Sequence, residues 1–426
     1  MKSLYFVFFF AIPSLVFSQL DYDYEITVID SFTCFQFNQA GMTGLTAAVH
    51  SGTIHLSYIM QDTSTKSFVM YAVKNGNNFT AETVAQLPQN FSWGFSPRAI
   101  LQFDEFGSPH IYVGRVLNNA PLQKAIFEFH KNAGVWEETL ISETGNIPFL
   151  AADPDGSNGL GFAFWSPAVN SWERNIGYAS NNGSNWEFEV FTDRENTHKT
   201  QPSVVNYDNK TYVTFGEGYC ADTLVTTVFV KENNTWSKDY EDINLTPYGC
   251  GSIGGLFARL GKSSSGVHLL TSLHTENGHP YFLKNEGQGW LPQEIIYNAS
   301  LTAPDWPSAN LKFDSKNIAY WLNQAAASHY LSWIEEDGNG GLIGIPYFYG
   351  DLTLHDFLIV DDIAYIYYRE GSSAYPFGTP VMFKEMKIEL DQLITSIEDE
   401  KINSSFSLDQ NFPNPFFTTT SIGFNL

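Results

Sequence analysis

The chain repeats one phrase of apolar and polar positions. Its clearest copy is SPRAILQFDEFGSPHIYVG, from Ser96 to Gly114. An apolar stretch leads into a polar turn with glycine. A second stretch then alternates apolar and polar residues, the period of a β-strand. The phrase returns as GLTAAVHSGTIHLSY, PFLAADPDGSNGLGFAFW, PSVVNYDNKTYVTF, GLFARLGKSSSGVHLL, PSANLKFDSKNIAYW and HDFLIVDDIAYIYY. Aligned on the centre of the second strand, the copies fall at Leu56, Ile111, Phe162, Val213, Leu269, Tyr320 and Tyr365, between 45 and 56 residues apart. A period of that size predicts a repeat architecture.

A second phrase follows each of the first five copies, as in VFVKENNTWSKDY. It reads as a strand, an Asn/Gly-rich turn, an aromatic residue and another strand. The aromatics are Phe79, Trp136, Trp186, Trp236 and Trp290. The turns have the chemistry of tight hairpins, where Asn and Gly tolerate positive φ. In the sixth unit EEDGNGG replaces the turn, and Leu342 to Phe348 is the fourth strand. Each unit thus predicts four antiparallel strands, named A to D here. A small sheet with two apolar faces is not stable alone, but radially set sheets cover one another. The prediction is an all-β, seven-bladed β-propeller of four-stranded antiparallel blades over residues 20–390. The seventh unit supplies strands near 356–361, 363–369 and 379–388. Its fourth is read from Tyr24 to Asp30, which closes the ring. A competing assignment gives that role to 385–391.

The two ends read differently. Residues 1–18, MKSLYFVFFFAIPSLVFS, hold one lysine and then an apolar run too short for a membrane span. They read as a secretory signal peptide ahead of Gln19. Residues 391–405 are charged and polar and read as a linker, with a short turn of helix around 391–399. No later apolar run is long enough to span a bilayer, so a soluble or surface-attached chain is expected.

Formal charge narrows the partners. A balance of −24, from 22 Lys and Arg against 46 Asp and Glu, argues against nucleic acid. It argues equally against an anionic membrane surface. The three cysteines, Cys34, Cys220 and Cys250, form no metal-binding spacing; Cys220 and Cys250 either pair or stay thiols. The stretch Asp153 to Gly159, DPDGSNG, hints at a calcium loop. However, Asn158 stands where such a loop needs glycine, and the twelfth position has no glutamate, so it reads instead as an A-to-B hairpin. No metal or cofactor is expected. Walker, HExxH, GxSxG and dinucleotide motifs are absent from the sequence.

Two resemblances add to this. FSLDQNFPNPFFTTTSIGFNL, Phe406 to Leu426, carries a QN-aromatic-PNPF string and a Thr-rich run. It resembles the start of the C-terminal sorting domain of the Bacteroidetes type IX (Por) secretion system. That resemblance implies a partial sorting domain over 406–426. It also implies the type IX machinery as a partner, and release or display at the outer cell surface. The propeller itself resembles the sialidase-type superfamily with BNR-like repeats. Asn181, Gly183 and Trp186, and likewise Asn285, Gly287 and Trp290, keep part of its Asp-box spacing. The arginine that opens the sialidase active site has no clear counterpart here, so a sialidase assignment is not supported.

Propeller geometry says where chemistry can sit. The D-to-A connections and B-to-C loops emerge on one face, around the channel. From the first come Trp93, Arg98, His198, Asp305, Trp306 and His355; from the second, Arg115, Trp165, Glu217, Tyr219, His274 and Arg369. Trp93, Trp165 and Trp306 suit stacking on sugar rings, with Tyr219 beside them as a ligand contact. Arg98, Arg115 and Arg369 suit forked hydrogen bonds to a carboxylate or sulfate. Glu217 and Asp305 are an acid/base pair in a hydrolase reading. His198, His274 and His355 would take a proton in a lyase reading. By contrast His55, His110 and His268 recur at one repeat position and read as structural.

The expectation is a secreted or cell-surface propeller that binds an extracellular glycan or protein ligand without evident catalysis. The alternative is a carbohydrate-active enzyme, a glycoside hydrolase or polysaccharide lyase acting on an acidic polysaccharide. It takes Arg115, Glu217, His274 and Arg369 as its catalytic candidates.

Overall fold

The structure is a computed structural model. It describes residues 23–33, 45–61, 66–87, 99–116, 124–144, 150–156, 159–166, 175–183, 185–192, 197–199, 202–219, 223–244, 258–271, 281–285, 287, 289–293, 310–325, 328–335, 340–345, 352–370, 380–391, 407–408 and 424–425.

Seven antiparallel sheets follow one another along the chain, and helix among the described residues is confined to Leu390 and Asp391. This is a seven-bladed β-propeller. Blade 1 runs from Thr46 to Leu87, blade 2 from Ala99 to Thr144 and blade 3 from Leu150 to Val190. Blade 4 runs from Thr197 to Asn244, blade 5 from Ala258 to Gln293 and blade 6 from Lys312 to Ile345. Blade 7 takes Leu352–Val360, Ile363–Glu370 and Pro380–Glu389 as strands A to C, and Tyr24–Thr33 as strand D. Tyr24 pairs with Ile388 and Thr33 with Pro380, so the N-terminal strand closes the ring. The competing assignment fails because 380–389 is already strand C, paired on its other edge with strand B.

Hairpin chemistry is local and behaves as expected. Asp208 and Asn209, Asn233 and Asn234, and Asp361 and Asp362 all have φ between 49° and 62°, as a two-residue primed turn requires. The two turns compared with Asp-boxes are held by asparagine: the Asn181 side chain accepts the Gly183 N–H at 2.8 Å, and Asn285 accepts Gly287 at 2.9 Å.

The core lies between blades. Ala47, Leu56 and Tyr58 pack against Leu358, Tyr367 and Phe383 of blade 7, while Ala48 and Ile59 face Leu101, Ile111 and Val113 of blade 2. Val204 and Val213 join Trp165 and Tyr178 of blade 3, whereas Val205 and Tyr212 join Leu260 and Leu269 of blade 5. Adjacent residues on one strand therefore serve opposite neighbours, which is why the repeats read as dense apolar runs.

This corrects the sequence alignment in two units. In blades 1 to 5 the aligned centre packs toward the preceding blade, as Leu269 does toward blade 4. In blade 6 that role belongs to Ala319 and Trp321, not Tyr320. In blade 7 Tyr365 and Tyr367 pack toward blade 1 instead. The alignment is one residue out of phase in the last two units, and such a slip exchanges the faces.

Contacts between hairpins also tie the blades around the ring. Phe103 N–H donates to Pro154 O at 3.0 Å, Asn206 N–H to Asp153 Oδ2 at 2.7 Å and Ser315 Oγ to Asp362 Oδ2 at 2.7 Å. Ala47 N–H reaches Asp356 Oδ2 at 2.9 Å across the closing seam. The DPDGSNG stretch joins strands A and B of blade 3. Lys262 of blade 5 sends its ammonium to Asp153 Oδ2 at 2.9 Å, Asp155 Oδ2 at 3.1 Å and Asn206 O at 3.1 Å. A tethered cation thus occupies the oxygens that suggested calcium.

Outside the ring, Ser407–Leu408 pairs antiparallel with Phe424–Asn425. The signal-peptide residues, most of the linker and its expected helical turn, the QNFPNPF string and all three cysteines lie outside the described residues. No helix of the described residues is long and apolar enough to cross a membrane.

Candidate functional site

The residues expected in B-to-C loops stand mostly on strand B itself. Arg115, Trp165, Glu217, Tyr219 and Arg369 are among the last residues of Pro109–Val116, Gly161–Ser166, Lys210–Tyr219 and Ile363–Glu370. His198 lies in Thr197–Lys199, and His355 in strand A of blade 7 at a register shift between Leu354 and Asp356. Trp93, Arg98, His274, Asp305 and Trp306 lie outside the described residues, as do the side chains of Arg115, His198, Tyr219 and His355.

Blade 4 departs from the repeat, and that departure builds the site. Its strand A is split: Thr197–Lys199 and Ser203–Tyr207 both pair with strand B. The upper piece sets Lys199 directly opposite Glu217. Their Nζ and Oε1 atoms lie 3.3 Å apart, and the side chains are 0% and 3% exposed. Either charge alone in that dry interior would cost several kcal/mol, so each holds the other in place. Lys199 Nζ also donates to Asn175 Oδ1 of blade 3 at 3.5 Å. Asn175 Oδ1 accepts the Thr192 hydroxyl at 3.3 Å, and Thr192 Oγ1 in turn accepts the Ile176 N–H at 2.8 Å. The result is a buried polar chain crossing from blade 3 to blade 4.

The remaining described candidates sit elsewhere. Trp165 is 7% exposed and packs between blades 3 and 4 with Ile176, Tyr178 and Phe215, leaving little ring to stack on a sugar. Arg369 is 5% exposed, opposite Thr353 and Phe383. Strand alternation puts it on the face of Tyr367, toward blade 1, whereas Glu217 shares the face of Val213 and Phe215, toward blade 3. Glu217 and Arg369 therefore stand in different wedges of the ring.

The recurring histidines make polar contacts within their own blades, while His55 and His268 also pack on Phe103 and Phe313 of the next blade. His55 Nδ1 contacts Tyr71 Oη, His110 Nδ1 contacts Glu128 and His268 Nε2 contacts Ser263 Oγ, each at 2.7 Å. Among the described residues no group of three or more His, Cys, Asp or Glu is arranged to hold a metal ion. Lys199 was visible in the sequence only as one polar residue of a connection. Its pairing depends on the short strand Thr197–Lys199, which no local pattern announces.

No family model matches this chain, and no curated protein matches it. Solved structures do. A polysaccharide lyase, Uly1, superposes with a TM-score of 0.50 at 10% identity, over 84% of this chain and 92% of its own. The β-propeller domain of the Trilobed protease from Pyrococcus furiosus gives 0.47 at 12%, over 80% and 95%. Trypanosoma rangeli sialidase gives 0.44 at 10%, over 89% and 61%. The likeness is one of fold.

Proposed function

We propose that this protein is a secreted or cell-surface propeller that binds an extracellular glycan and does not transform it. The supporting observation is the state of Glu217. Its carboxylate is engaged by Lys199 in a buried pair and belongs to a different wedge from Arg369. A general acid or base must reach the reacting atoms, with its partners converging on the same point. The pair instead fixes two strands of blade 4 to each other, and Lys199 also reaches Asn175 of blade 3, as a preorganised binding surface needs. Export rests on the apolar N-terminal segment and the QNFPNPF string, with the type IX machinery as its route.

The test uses the chain from Gln19 onward, on a glycan array and in pull-downs from an extracellular extract. Binding to one class of glycan, with no change in that glycan's size or reducing ends, is expected. Capture of a protein and no glycan would move the reading to a protein ligand. Steady release of shortened or unsaturated products from an acidic polysaccharide would replace binding with catalysis. For export, deleting residues 406–426 should leave the protein in the periplasm.

A further inference from the structure

The A-to-B turn of blade 2 has a twin in blade 6, and the two differ where they meet the next blade. Asp104 Oδ1 accepts the N–H groups of Phe106 and Ser108 at 3.0 and 2.7 Å; Asp314 Oδ1 accepts those of Lys316 and Ile318 at 3.0 and 2.8 Å. The backbone bonds match too: Gly107 N–H donates to Asp104 O at 3.0 Å and Asn317 N–H to Asp314 O at 3.1 Å. In blade 6 Ser315 closes the seam to blade 7, donating from its N–H and its hydroxyl to Asp362 at 2.8 and 2.7 Å. Glu105 takes that place in blade 2, and its side chain has no hydrogen bond or ion pair among the described residues.

A cavity of about 500 Å³ opens there instead, between the A-to-B turns of blades 2 and 3 and the C-to-D turn of blade 3. That volume lies within the ~300–1,000 Å³ typical of small-molecule sites. Both kinds of turn stand at the strand ends opposite the B-to-C loops, so the cavity is on the other face of the ring. The two blades are tied next to it: buried Gln102 accepts the Gly161 N–H at 3.0 Å and donates to Asp153 O at 2.9 Å. The cavity is therefore preformed. Phe106 borders it, 85% exposed and touching no other ring among the described residues. Lys316 holds the same turn position in blade 6, so the turn itself does not call for an aromatic. Beside a cavity, that ring offers a flat apolar face to a ligand.

The polar groups of the wall select the ligand. Asn181 Oδ1 is taken by the Gly183 N–H, which leaves its Nδ2 to donate, and Glu105 is there to accept. Asp104 is already engaged by its own turn and faces His110 Nε2 at 3.6 Å. Among the described residues no lysine, arginine or histidine lines the cavity, so an anion would meet carboxylates with no compensating charge. A cation would suit Glu105 but not the Asn181 donor. A neutral ring with hydroxyl groups matches the acceptor, the donor and the phenyl face together. We infer that the cavity between blades 2 and 3 binds one or two neutral hexose units, with Phe106 against the C–H face and Glu105 and Asn181 on the hydroxyls. This assignment rests on the glycan-binding reading and adds the subsite, its face of the ring and the charge class.

The experiment uses the chain from Gln19 onward, wild type, Phe106→Lys and Glu105→Ser, with cellobiose, lactose, mannobiose and methyl fucoside. Glucuronate and glucosamine are the charged controls. Calorimetry measures affinity, and thermal unfolding checks the fold. The expected result is saturable binding of at least one neutral sugar and of neither control. Phe106→Lys should bind that sugar about tenfold more weakly, as the loss of a stacking aromatic does. Both variants should melt with wild type, because the blade 6 turn carries lysine and serine at the same positions. Glu105→Ser should also weaken binding, and it decides the matter if Phe106→Lys melts early. If the folded variants bind as tightly as wild type, the cavity assignment is wrong and the glycan reading stands. The same holds if only a charged control binds, or if wild type binds glycans on the array but none of these sugars. If wild type binds no glycan of any length, both fall.

Discussion

The indole N–H of Trp236 donates to Glu189 Oε2 at 2.6 Å, across the boundary between blades 4 and 3. Lys231 lies 3.3 Å from the same carboxylate oxygen. The arrangement recurs. Trp136 and Lys131 of blade 2 meet Glu82 of blade 1, and Trp290 and Asn285 of blade 5 meet Asp239 of blade 4. In each case the acid stands three residues after the aromatic of its own blade. Between blades 2 and 3 the corresponding positions are Thr139 and Asn181, so acid and lysine are missing together. Trp186 there rests on Tyr112 and Phe162 instead.

Glu189→Ala should therefore lower stability by about 1 kcal/mol, since the carboxylate is partly exposed and screened. A double-mutant cycle with Trp236→Phe, read by urea unfolding, should show coupling between them. Independent, additive losses would mean the clasp contributes nothing of its own.

Lys262→Met should cost about 2–3 kcal/mol, because it strands the 7%-exposed carboxylate of Asp153. Burial works against the Lys262 charge, but Asp153 and then Asp155 outweigh it and hold the lysine above its usual range. The vacated oxygens are hard ligands, so millimolar calcium should restore part of the loss in the variant and do little for wild type. Urea midpoints with and without calcium measure this.

Acid should weaken the ring through His55. Burial, and next the neighbouring His50, bring its pKa down to about 4. An unfolded histidine titrates near 6.5, so the native state binds fewer protons between these values. The contribution is intact above about pH 6.5 and is lost as pH falls toward 4. His55→Gln should flatten that part of a plot of melting temperature against pH, and an unchanged slope would rule the residue out.

Deleting residues 19–33 should abolish cooperative unfolding, because it removes a whole strand and its link to the core. Tyr58 Oη donates to Asp30 Oδ2 at 2.8 Å, and Ile29 joins the cluster of blades 7 and 1. A peptide spanning 24–33 should restore the transition by adding back the edge strand. Calorimetry of the mixture reads the outcome.

Blades, hairpins and the closing strand were legible because their signals are short-range: alternation, Asn/Gly turns and a period near fifty. The phase of the last two units was not. Tyr320 and its neighbour Trp321 are both buried, so apolar content alone does not say which faces which neighbour. Contrast between inside and outside normally fixes register, and here both sides are inside. The site was legible as a list and not as a geometry. Glu217 reads as a B-to-C loop residue but stands on strand B, and its partner Lys199 comes from a separate short strand.

The pairing of Tyr24 with Ile388 sets an order of events for a chain made from its N-terminus. The first ring strand to leave the ribosome waits for the last, and until then two ladder edges remain open to other chains. A nascent chain halted before residue 389 has no closed state, so the seam acts as a proofreading step on length.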